Sequence, residues 1–167
     1  MTRDIHPDDF RDALGMFTTG VTVVAAVLDD LLHGMTANAV TSVSLEPPLI
    51  LVCVDRKAGM HDLIPQAGAF AVTVLGAEQE AESVWFASPR RPHGRDQFDG
   101  IDWHPAPASG APVLDTGVAF LDCRLADAFD GGDHSIFVGE VVDLGRLGGR
   151  EPLVWFDGVY RTLAPDA

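Results

Sequence analysis

Residues 33–57 read HGMTANAVTSVSLEPPLILVCVDRK and contain the most strand-like run of the chain. The segment LILVCV (49–54) is continuously apolar, which is typical of a buried β-strand. Pro47 and Pro48 separate it from GMTANAVTSVS, whose alternation of polar and small residues predicts a second strand at a sheet edge. The stretch therefore predicts two adjacent strands that meet at a proline break.

Outside this stretch, strand patterns follow one another along the chain. Further strands are predicted at VTVVAAV (21–27), FAVTVL (70–75), AFLDCRLADA (119–128) and HSIFVGEVVDLG (134–145), the last two as a hairpin across FDGGD. Helices are predicted around Phe10–Phe17, in MHDLIPQAG up to Gly68, and in AEQEAESVWF. Successive strands without regular helix alternation favour a mainly β fold, a mostly antiparallel closed sheet or barrel with peripheral helices.

Two local patterns carry further expectations. Residues 87–116 are rich in Pro, Gly, Ser and charge, so we expect a long surface connection there. Alternation in AFLDCRLADA predicts that Leu121, Cys123 and Leu125 face one way, with Asp122 and Arg124 on the opposite side. By length, the whole of 1–167 is expected to form one domain.

Composition excludes several classes of function. The chain carries 11 Lys and Arg against 25 Asp and Glu, for a net charge of −14, which argues against binding nucleic acid or an anionic membrane surface. Cys53 and Cys123 lie in apolar strand patterns and are expected to be buried free thiols, which suits the cytoplasm. No transmembrane span is predicted, and no His/Cys spacing indicates a metal site.

Four features offer chemistry, each with a plain alternative. Arg56 and Lys57, the latter the only lysine, follow the buried strand and are either a solvated strand end or a grip for an anionic phosphate. The polar residues of 36–44 either face water or bind a planar heterocycle. In DGGDH the glycines suit a turn, but the turn does not require His134, a candidate for ligand binding or proton transfer. The segment RRPHGRDQF is either a solvated loop or an anion-attracting lid.

Taken in order, several stretches make the chain resemble the short-chain flavin reductases, the small components of two-component flavin monooxygenases with the FMN-binding split-barrel fold. They are FRDALGMFTTGVTVV, GMTANAVTSVSLEPPLILVCVDRK, GAFAVTVL, WFASP, RDQFDGIDW, DGGDHSIFVGEV and PLVWFDGVYRTL. The resemblance implies an antiparallel, Greek-key-like split barrel. It also implies a hydride transfer from NADH or NADPH to FMN or FAD, a homodimer, and a separate monooxygenase that receives the reduced flavin.

The resemblance also implies a set of site residues. For the flavin ring and its chain it implies Thr36, Ala37, Asn38, Ala39, Ser42, Ser44, Cys53, Val54 and Asp55. For the phosphate end it implies Arg56, Lys57, Gly59 and Met60, closed by Trp85 and Phe86. For the nicotinamide side it implies His134, with Tyr160 and Arg161 near the nucleotide.

The chain departs from many relatives at three of these positions. Ala39 and Lys57 stand where serine is common, and Trp85 stands where arginine is common, so Lys57 is expected to replace a lost phosphate partner. The alternatives are a split-barrel flavoprotein that holds FMN tightly and reduces another acceptor, and a non-catalytic flavin-binding protein.

Overall fold

The computed structural model describes residues 4–164. The three α-helices are α1 (Pro7–Gly15), α2 (Gly59–Ala67) and α3 (Glu80–Ala87), and a 3-10 helix spans Gly94–Phe98. The strands are β1 (Thr19–Gly20), β2 (Thr22–Leu28), β3 (Leu31–Ala37), β4 (Val40–Leu45), β5 (Pro48–Asp55), β6 (Ala69–Val74), β7 (Trp103–Pro105), β8 (Pro112–Leu114), β9 (Ala119–Gly131), β10 (His134–Arg146), β11 (Val154–Phe156) and β12 (Val159–Arg161).

The main sheet has seven antiparallel strands in the order β3-β2-β6-β9-β10-β5-β4. Its two edge strands, β3 and β4, are consecutive in the chain and are joined only by Asn38 and Ala39. The Cys53 N–H donates to the Ala39 carbonyl at 3.0 Å, which attaches this link to β5. The sheet therefore curls until its two edges approach each other at residues 38–39, as predicted for a split barrel.

Three apolar clusters lie in the described interior, and the two largest position the groove strands. One lies inside the curled sheet beneath α2 and includes Val52, Ile64 and Phe70. The other lies between β2, β3, α3 and the 3-10 helix, where the Phe86 and Phe98 rings pack with centroids 5.1 Å apart. This second cluster supports the outer face of β3, so the position of that strand depends on α3 and the 94–98 segment.

The predicted long surface connection over 87–116 is wrong from Gly94 onward. That region contains the 3-10 helix and the β7–β8 hairpin, and it buries Gln97, Phe98 and Val113. Gln97 explains why composition misled the prediction: its side-chain Nε2 donates to the Leu32 and Gly94 carbonyls, and its Oε1 accepts from Gly34 N–H. Polar residues here satisfy buried backbone groups instead of facing water.

Burial in β9 and β5 departs from the strand patterns in two places. Asp122 was expected on the face of β9 opposite Cys123, yet that face is also buried at this position, and the Asp122 Oδ2 accepts the amides of Ala108 and Ser109 at 2.7 and 3.1 Å. A loop from outside the strand pattern covers that face. Both cysteines are free, yet only Cys123 is fully buried, because Cys53 lies half-buried on β5.

Helix α1 differs from the expectation of a packed amphipathic helix. It spans Pro7–Gly15 and buries none of its residues, and Phe10 and Leu14 remain more than half exposed. By contrast, α2 behaves as predicted: it ends at Gly68, whose φ of 68° is the left-handed conformation of a helix C-cap.

Candidate active site

Two cavities lie along strand β3 and share Thr36 and Ala87. The larger encloses about 540 Å³ and the smaller about 250 Å³. The larger is lined by β3, by the turn into α2 and by the segment after α3, whereas the smaller adjoins Ala37, Asn38, Trp155 and Tyr160. Together they form a groove that follows β3. Its length is about 20 Å, the length expected of a seven-residue strand.

The larger cavity has a basic lining. Its cationic and imidazole side chains are Lys57, Arg91, His33 and His93, and no Asp or Glu belongs to this lining in the described part of the chain. In a chain of net charge −14, such a concentration of positive charge is local to the cavity. The arrangement suits a negatively charged ligand group, which the surrounding surface would otherwise repel.

Arg56 and Lys57, the adjacent cations at the end of residues 33–57, have different surroundings. Arg56 is held by the β9–β10 turn: its Nε donates to the Gly132 carbonyl at 2.9 Å, and its Nη2 pairs with Asp130 at 3.0 Å. The Gly132 N–H and then Arg56 lower the pKa of Asp130. Lys57 instead lines the cavity, while its backbone N–H donates to the Asp55 carboxylate at 2.8 Å. Of the two cations, only Lys57 lines the larger cavity.

Helix α2 begins at Gly59, two residues after Lys57, at the wall of the larger cavity. Its N-cap, Ala58, provides no side-chain hydrogen bond to the first turn, and Ala58 and Gly59 both line the cavity. The backbone amides of an uncapped first turn attract anions, and here they lie beside a lysine. From α2, His61 Nε2 is 2.9 Å from Ser135 Oγ on β10, which fastens this helix to the sheet.

Arg91 lines the larger cavity from the segment that follows α3. Its guanidinium donates to the Ser88 and Gly34 carbonyls at 2.5 and 2.9 Å and lies 3.4 Å from both Gln97 Oε1 and His33 Nε2. All these partners are neutral, and among residues 4–164 no carboxylate lies within ion-pair distance of Arg91. Desolvation lowers the pKa of this guanidinium, and its charge remains uncompensated inside the groove.

His33 lies between the two cationic walls. Burial, then Arg91 and His93, lower the pKa of His33 from 6.5 to about 4. The ring is therefore neutral near pH 7 and can accept the Arg91 N–H through Nε2. Because the unfolded chain binds this proton at higher pH than the folded chain does, folding stability is lost as pH falls from about 6.5 to about 4.

We expect His33→Gln to flatten this part of the pH profile. Below about pH 6.5 the native chain should lose free energy of unfolding more steeply than the variant, by about 1–2 kcal/mol at pH 4 after allowance for the exposed part of the ring. Urea unfolding at intervals between pH 7 and pH 4 measures both profiles. Parallel profiles would show that the His33 proton does not differ between the folded and unfolded states.

The smaller cavity combines aromatic and hydroxyl groups. Trp155 and Tyr160 meet edge to face with centroids 4.9 Å apart, and the Tyr160 hydroxyl lies 2.9 Å from Ser83 Oγ. Thr36 Oγ1 donates to the Ser83 carbonyl at 2.6 Å, so Ser83 on α3 holds both the threonine and the tyrosine. The cavity is a rigid, partly apolar slot open at Asn38, suited to a planar ring.

Several predicted site residues are therefore brought together, and others are not. The two cavities are lined by Thr36, Ala37, Asn38, Lys57, Gly59, Phe86 and Tyr160. The side chains of Val54 and Met60 are completely buried in the core, which leaves only their backbone for a ligand. Outside both linings lie Ala39, Ser42, Ser44, Cys53, Asp55, Arg56, Trp85, His134 and Arg161.

His134 and Trp85 have other partners in the described chain. His134 begins β10 opposite Asp55, with its Nδ1 2.7 Å from the Asp133 carboxylate, and this hydrogen bond is the main cause that lowers the pKa of Asp133. Trp85 points away from the groove and donates its Nε1–H to the Gln97 carbonyl at 2.8 Å. The roles assigned to both from the sequence remain predictions.

His33, Met35 and Trp155 line the groove but were not identified from the sequence. Alternation along β3 carried a usable signal, because Leu31, His33 and Met35 share one face of that strand. From the sequence, Arg91 was one of three arginines in a possible lid, with Arg90 and Arg95, that could meet the 2′-phosphate of NADPH. Its place opposite Lys57 depends on the fold of 88–98 across β3, and no local pattern reports that contact.

Residues 4–164 contain neither a metal-binding cluster nor a membrane-spanning helix. No group of three or more His, Cys, Asp or Glu side chains is placed to hold a metal ion. No helix in the same residues is long and apolar enough to cross a membrane.

Comparison with known proteins identifies related sequences over nearly the whole chain. An NADH-dependent FAD reductase of Streptomyces globisporus is 47% identical over 166 residues, covering 98% of this chain and 91% of the relative. The reductase subunit HsaB of a flavin-dependent monooxygenase from Rhodococcus jostii is 38% identical, covering 97% of this chain and 80% of the relative.

Solved structures agree with the fold. BorF, the flavin reductase component of a bacterial two-component tryptophan halogenase, superposes with a TM-score of 0.90 at 42% identity, covering 97% of this chain and all of BorF. The Streptomyces globisporus NADH:FAD oxidoreductase SgcE6, in complex with NAD and FAD fragments, has a TM-score of 0.89 at 43% identity, with 99% of each chain covered. The split-barrel prediction is confirmed. Since the family model for the flavin reductase like domain also matches residues 14–164, the chain belongs to the flavin reductase family, as its sequence motifs predicted.

Proposed function

We propose that this chain is an NADH-dependent flavin reductase that binds its flavin in the groove along β3. The observation that carries the proposal is the pairing of two cavities at Thr36 and Ala87, one an aromatic slot and the other basic with no acidic lining residue among those described. A flavin nucleotide has the same two parts, a planar ring and a phosphorylated chain. The names of the relatives, NADH-dependent FAD and FMN reductases among them, support the same activity.

The residues of the chain bind and orient the reactants. The flavin supplies the hydride-accepting ring when it is bound, and no metal or side-chain nucleophile is needed for that transfer. In this proposal Asn38 and the backbone of 36–38 hold the ring, while Lys57 and the first turn of α2 hold the phosphate. The Ser83 contacts to Thr36 and Tyr160 keep this slot rigid, which favours alignment of ring and nicotinamide.

One experiment separates the candidate functions. The purified protein is examined for bound flavin by absorbance, and oxidation of NADH and NADPH is then followed with FMN, FAD or riboflavin added. The proposal predicts NADH oxidation that depends on added flavin. A yellow, stoichiometric preparation that added flavin does not stimulate would favour a flavoprotein with tightly held FMN. Flavin binding with no turnover by any pair would leave only a flavin-binding protein.

His134 is proposed to act on the nicotinamide side. It lies outside both cavities, at the start of β10 and opposite the strand end that leads to Lys57. We expect His134→Ala to lower the turnover of NADH about tenfold or more, as for loss of an orienting or proton-handling group, with less than a threefold change in flavin affinity. Steady-state kinetics and flavin titration measure the two quantities. A tenfold loss of flavin affinity at unchanged turnover would contradict this role.

A homodimer is also proposed. Apolar side chains are exposed on the two strands that flank β5, namely Val43 and Leu45 on β4 and Val142 and Leu144 on β10, and Leu45 is 93% exposed. Such side chains stabilise a folded chain only when a second surface covers them. Sedimentation equilibrium should give twice the chain mass of 17.8 kDa. A single-chain mass at micromolar concentration would exclude the stable dimer.

The remaining assignments concern the cellular setting. The relatives include reductase components of two-component monooxygenases, so a separate flavin-dependent monooxygenase is the proposed recipient of the reduced flavin. Two free thiols suit a reducing compartment, which supports a cytoplasmic location. The family match over 14–164 supports the assignment of 1–167 to a single domain.

A further inference from the structure

His61 lies on the first turn of α2, on the side that faces away from the larger cavity. Gly59 is the first residue of that helix and lines the cavity, where a Cβ placed on it would lie 3.6 Å from His33 Nε2. Because each residue advances about 100° around a helix, the side chain of His61 points to nearly the opposite side from Gly59. The contacts of His61 therefore affect how the first turn is set against the cavity.

The His61 ring is held by three neighbouring groups. Its Nδ1 is 3.0 Å from the Asp62 carboxylate, its Nε2 is 2.9 Å from Ser135 Oγ, and it meets the Phe137 ring edge to face with centroids 5.7 Å apart. An ionised carboxylate only accepts hydrogen bonds, so in the neutral ring Nδ1 carries the proton and Nε2 accepts from the Ser135 hydroxyl. Both ring nitrogens thus have a partner, and together these contacts fix the orientation of the ring.

The order Asp62, His61, Ser135 is also that of a hydrolytic triad, but the surroundings do not suit hydrolysis. Ser135 is only 8% exposed and lines neither the larger nor the smaller cavity. A serine nucleophile needs space for a substrate beside its hydroxyl and donors for the developing oxyanion. The three side chains therefore serve as an attachment between α2 and β10.

This attachment is the directional contact of α2 with the sheet. On the core side of the helix, Met60, Leu63 and Ile64 are buried, and apolar burial has no preferred direction. Within residues 4–164, the bond between His61 and Ser135 is the only hydrogen bond that joins the residues of α2 to a strand. Because a hydrogen bond depends on distance and angle, this bond fixes the rotation and the position of the first turn.

The first turn is also where the proposed function places the phosphate. The amides of Gly59 and Met60 precede the amide of His61, which donates to the Ala58 carbonyl at 2.9 Å within the turn. Hydrogen bonds from such free N-terminal amides to a phosphate weaken steeply when the donors are displaced. Loss of the His61 side-chain hydrogen bond would move these amides, and Lys57 beside them, relative to β3.

We propose that His61 is a positioning residue for the flavin phosphate, and that it acts by binding Ser135 and so holding the first turn of α2 at the distance from β3 that the phosphate requires. The inference rests on the proposed function, because it assumes that the phosphate binds at this turn. His61 does not touch the ligand in this arrangement. Its effect therefore reaches FMN through the phosphate and does not reach riboflavin, which has none.

The test measures binding of FMN and riboflavin by fluorescence titration, without NADH, to the native protein and to His61→Gln and His61→Asn. Glutamine places a polar atom near the position of Nε2 and can reach Ser135, whereas asparagine places one near Nδ1 and cannot. We expect His61→Asn to weaken FMN binding about three- to tenfold, the scale of one neutral hydrogen bond, and to change riboflavin binding less than about twofold. His61→Gln should recover most of the FMN affinity.

Ser135→Ala removes the same hydrogen bond from the other side and leaves the imidazole in place. It should reproduce the loss seen in His61→Asn, and the two changes together should cost no more than either alone, because both remove one bond. His104→Ala is the matched control. His104 also pairs with a carboxylate, that of Asp115, and also meets a phenylalanine ring edge to face, that of Phe120, but it lies on β7 and lines neither cavity. The FMN affinity of His104→Ala should equal that of the native protein.

Three results would overturn the proposal. Equal native affinities for FMN and riboflavin would leave no phosphate at the turn for His61 to position. Equal losses of FMN and riboflavin affinity in His61→Asn would show a general disturbance of the fold. Equal FMN affinities in His61→Gln and His61→Asn would show that the contact with Ser135 does not matter.

Two further comparisons keep the test decisive. If His61→Asn fails to fold, as judged by circular dichroism, Ser135→Ala provides the same comparison, and native FMN affinity in that variant contradicts the proposal. Because turnover is not part of these titrations, a chain that bound FMN through this turn but oxidised no NADH would disprove the reductase function and leave the role of His61 standing. NADH oxidation by the native protein, with unchanged FMN affinity in both variants, would do the reverse.

Discussion

Replacing Phe86 by alanine is expected to lower the free energy of unfolding by about 3–5 kcal/mol and to abolish measurable flavin binding. Phe86 is completely buried, packs against Phe98, and also forms part of the wall of the larger cavity. A Cβ placed on Gly34 of β3 would lie only 2.7 Å from the Phe86 ring, so strand and ring are in direct contact. Loss of the ring leaves a void behind the strand that forms the groove. Urea unfolding and flavin titration measure the two effects.

Trp85 provides the control for this prediction. It is the preceding residue on the same helix and an even larger aromatic side chain, but it is 39% exposed and makes one hydrogen bond, to the Gln97 carbonyl. Trp85→Ala should cost about 1–2 kcal/mol, because less apolar area and one hydrogen bond are lost. If Trp85→Ala were as destabilising as Phe86→Ala, the packing of α3 described above would be wrong.

Replacing Lys57 by alanine is expected to weaken FMN binding by about 1–3 kcal/mol, which corresponds to about 5- to 150-fold. Lys57 is the cation at the N-terminus of α2 in the basic cavity, and riboflavin offers it no phosphate. Isothermal titration should therefore show a large loss for FMN and an almost unchanged affinity for riboflavin. Lys57→Arg, which retains the charge, should recover part of the loss.

Arg56→Ala tests whether Arg56, and not Lys57, binds the phosphate, a choice that the sequence left open. Both cations follow β5, but the Arg56 guanidinium pairs with Asp130 and Gly132 in the β9–β10 turn. The variant should affect FMN affinity less than Lys57→Ala does. A larger effect from Arg56→Ala, or equal native affinities for riboflavin and FMN, would contradict the assignment of the phosphate to Lys57.

Much of the fold could be predicted from local pattern. Continuous apolar runs predicted β2, β5 and β6, and the glycine-containing turn at 130–134 predicted the β9–β10 hairpin, because side-chain burial and turn chemistry are properties of neighbouring residues. The errors occurred where a distant segment changed the environment. Asp122 is a charged residue in an alternating strand pattern, yet it lies in the interior, where its Oδ2 accepts the amides of Ala108 and Ser109.

In the candidate site, too, local pattern predicted some features and distant contacts decided others. The sequence by itself determined the family and predicted that the site lies within residues 36–59, because those residues are contiguous in ordered motifs. Only the tertiary structure showed that Lys57 lines the cavity while Arg56 does not. The difference arises because Arg56 is bound by a hairpin more than seventy residues away in the chain. The tertiary structure alone also placed Arg91 across the groove from Lys57. Long-range hydrogen bonds to His33 and Gly34 decide that position, and the local hydrophobic pattern of the sequence gives no sign of them.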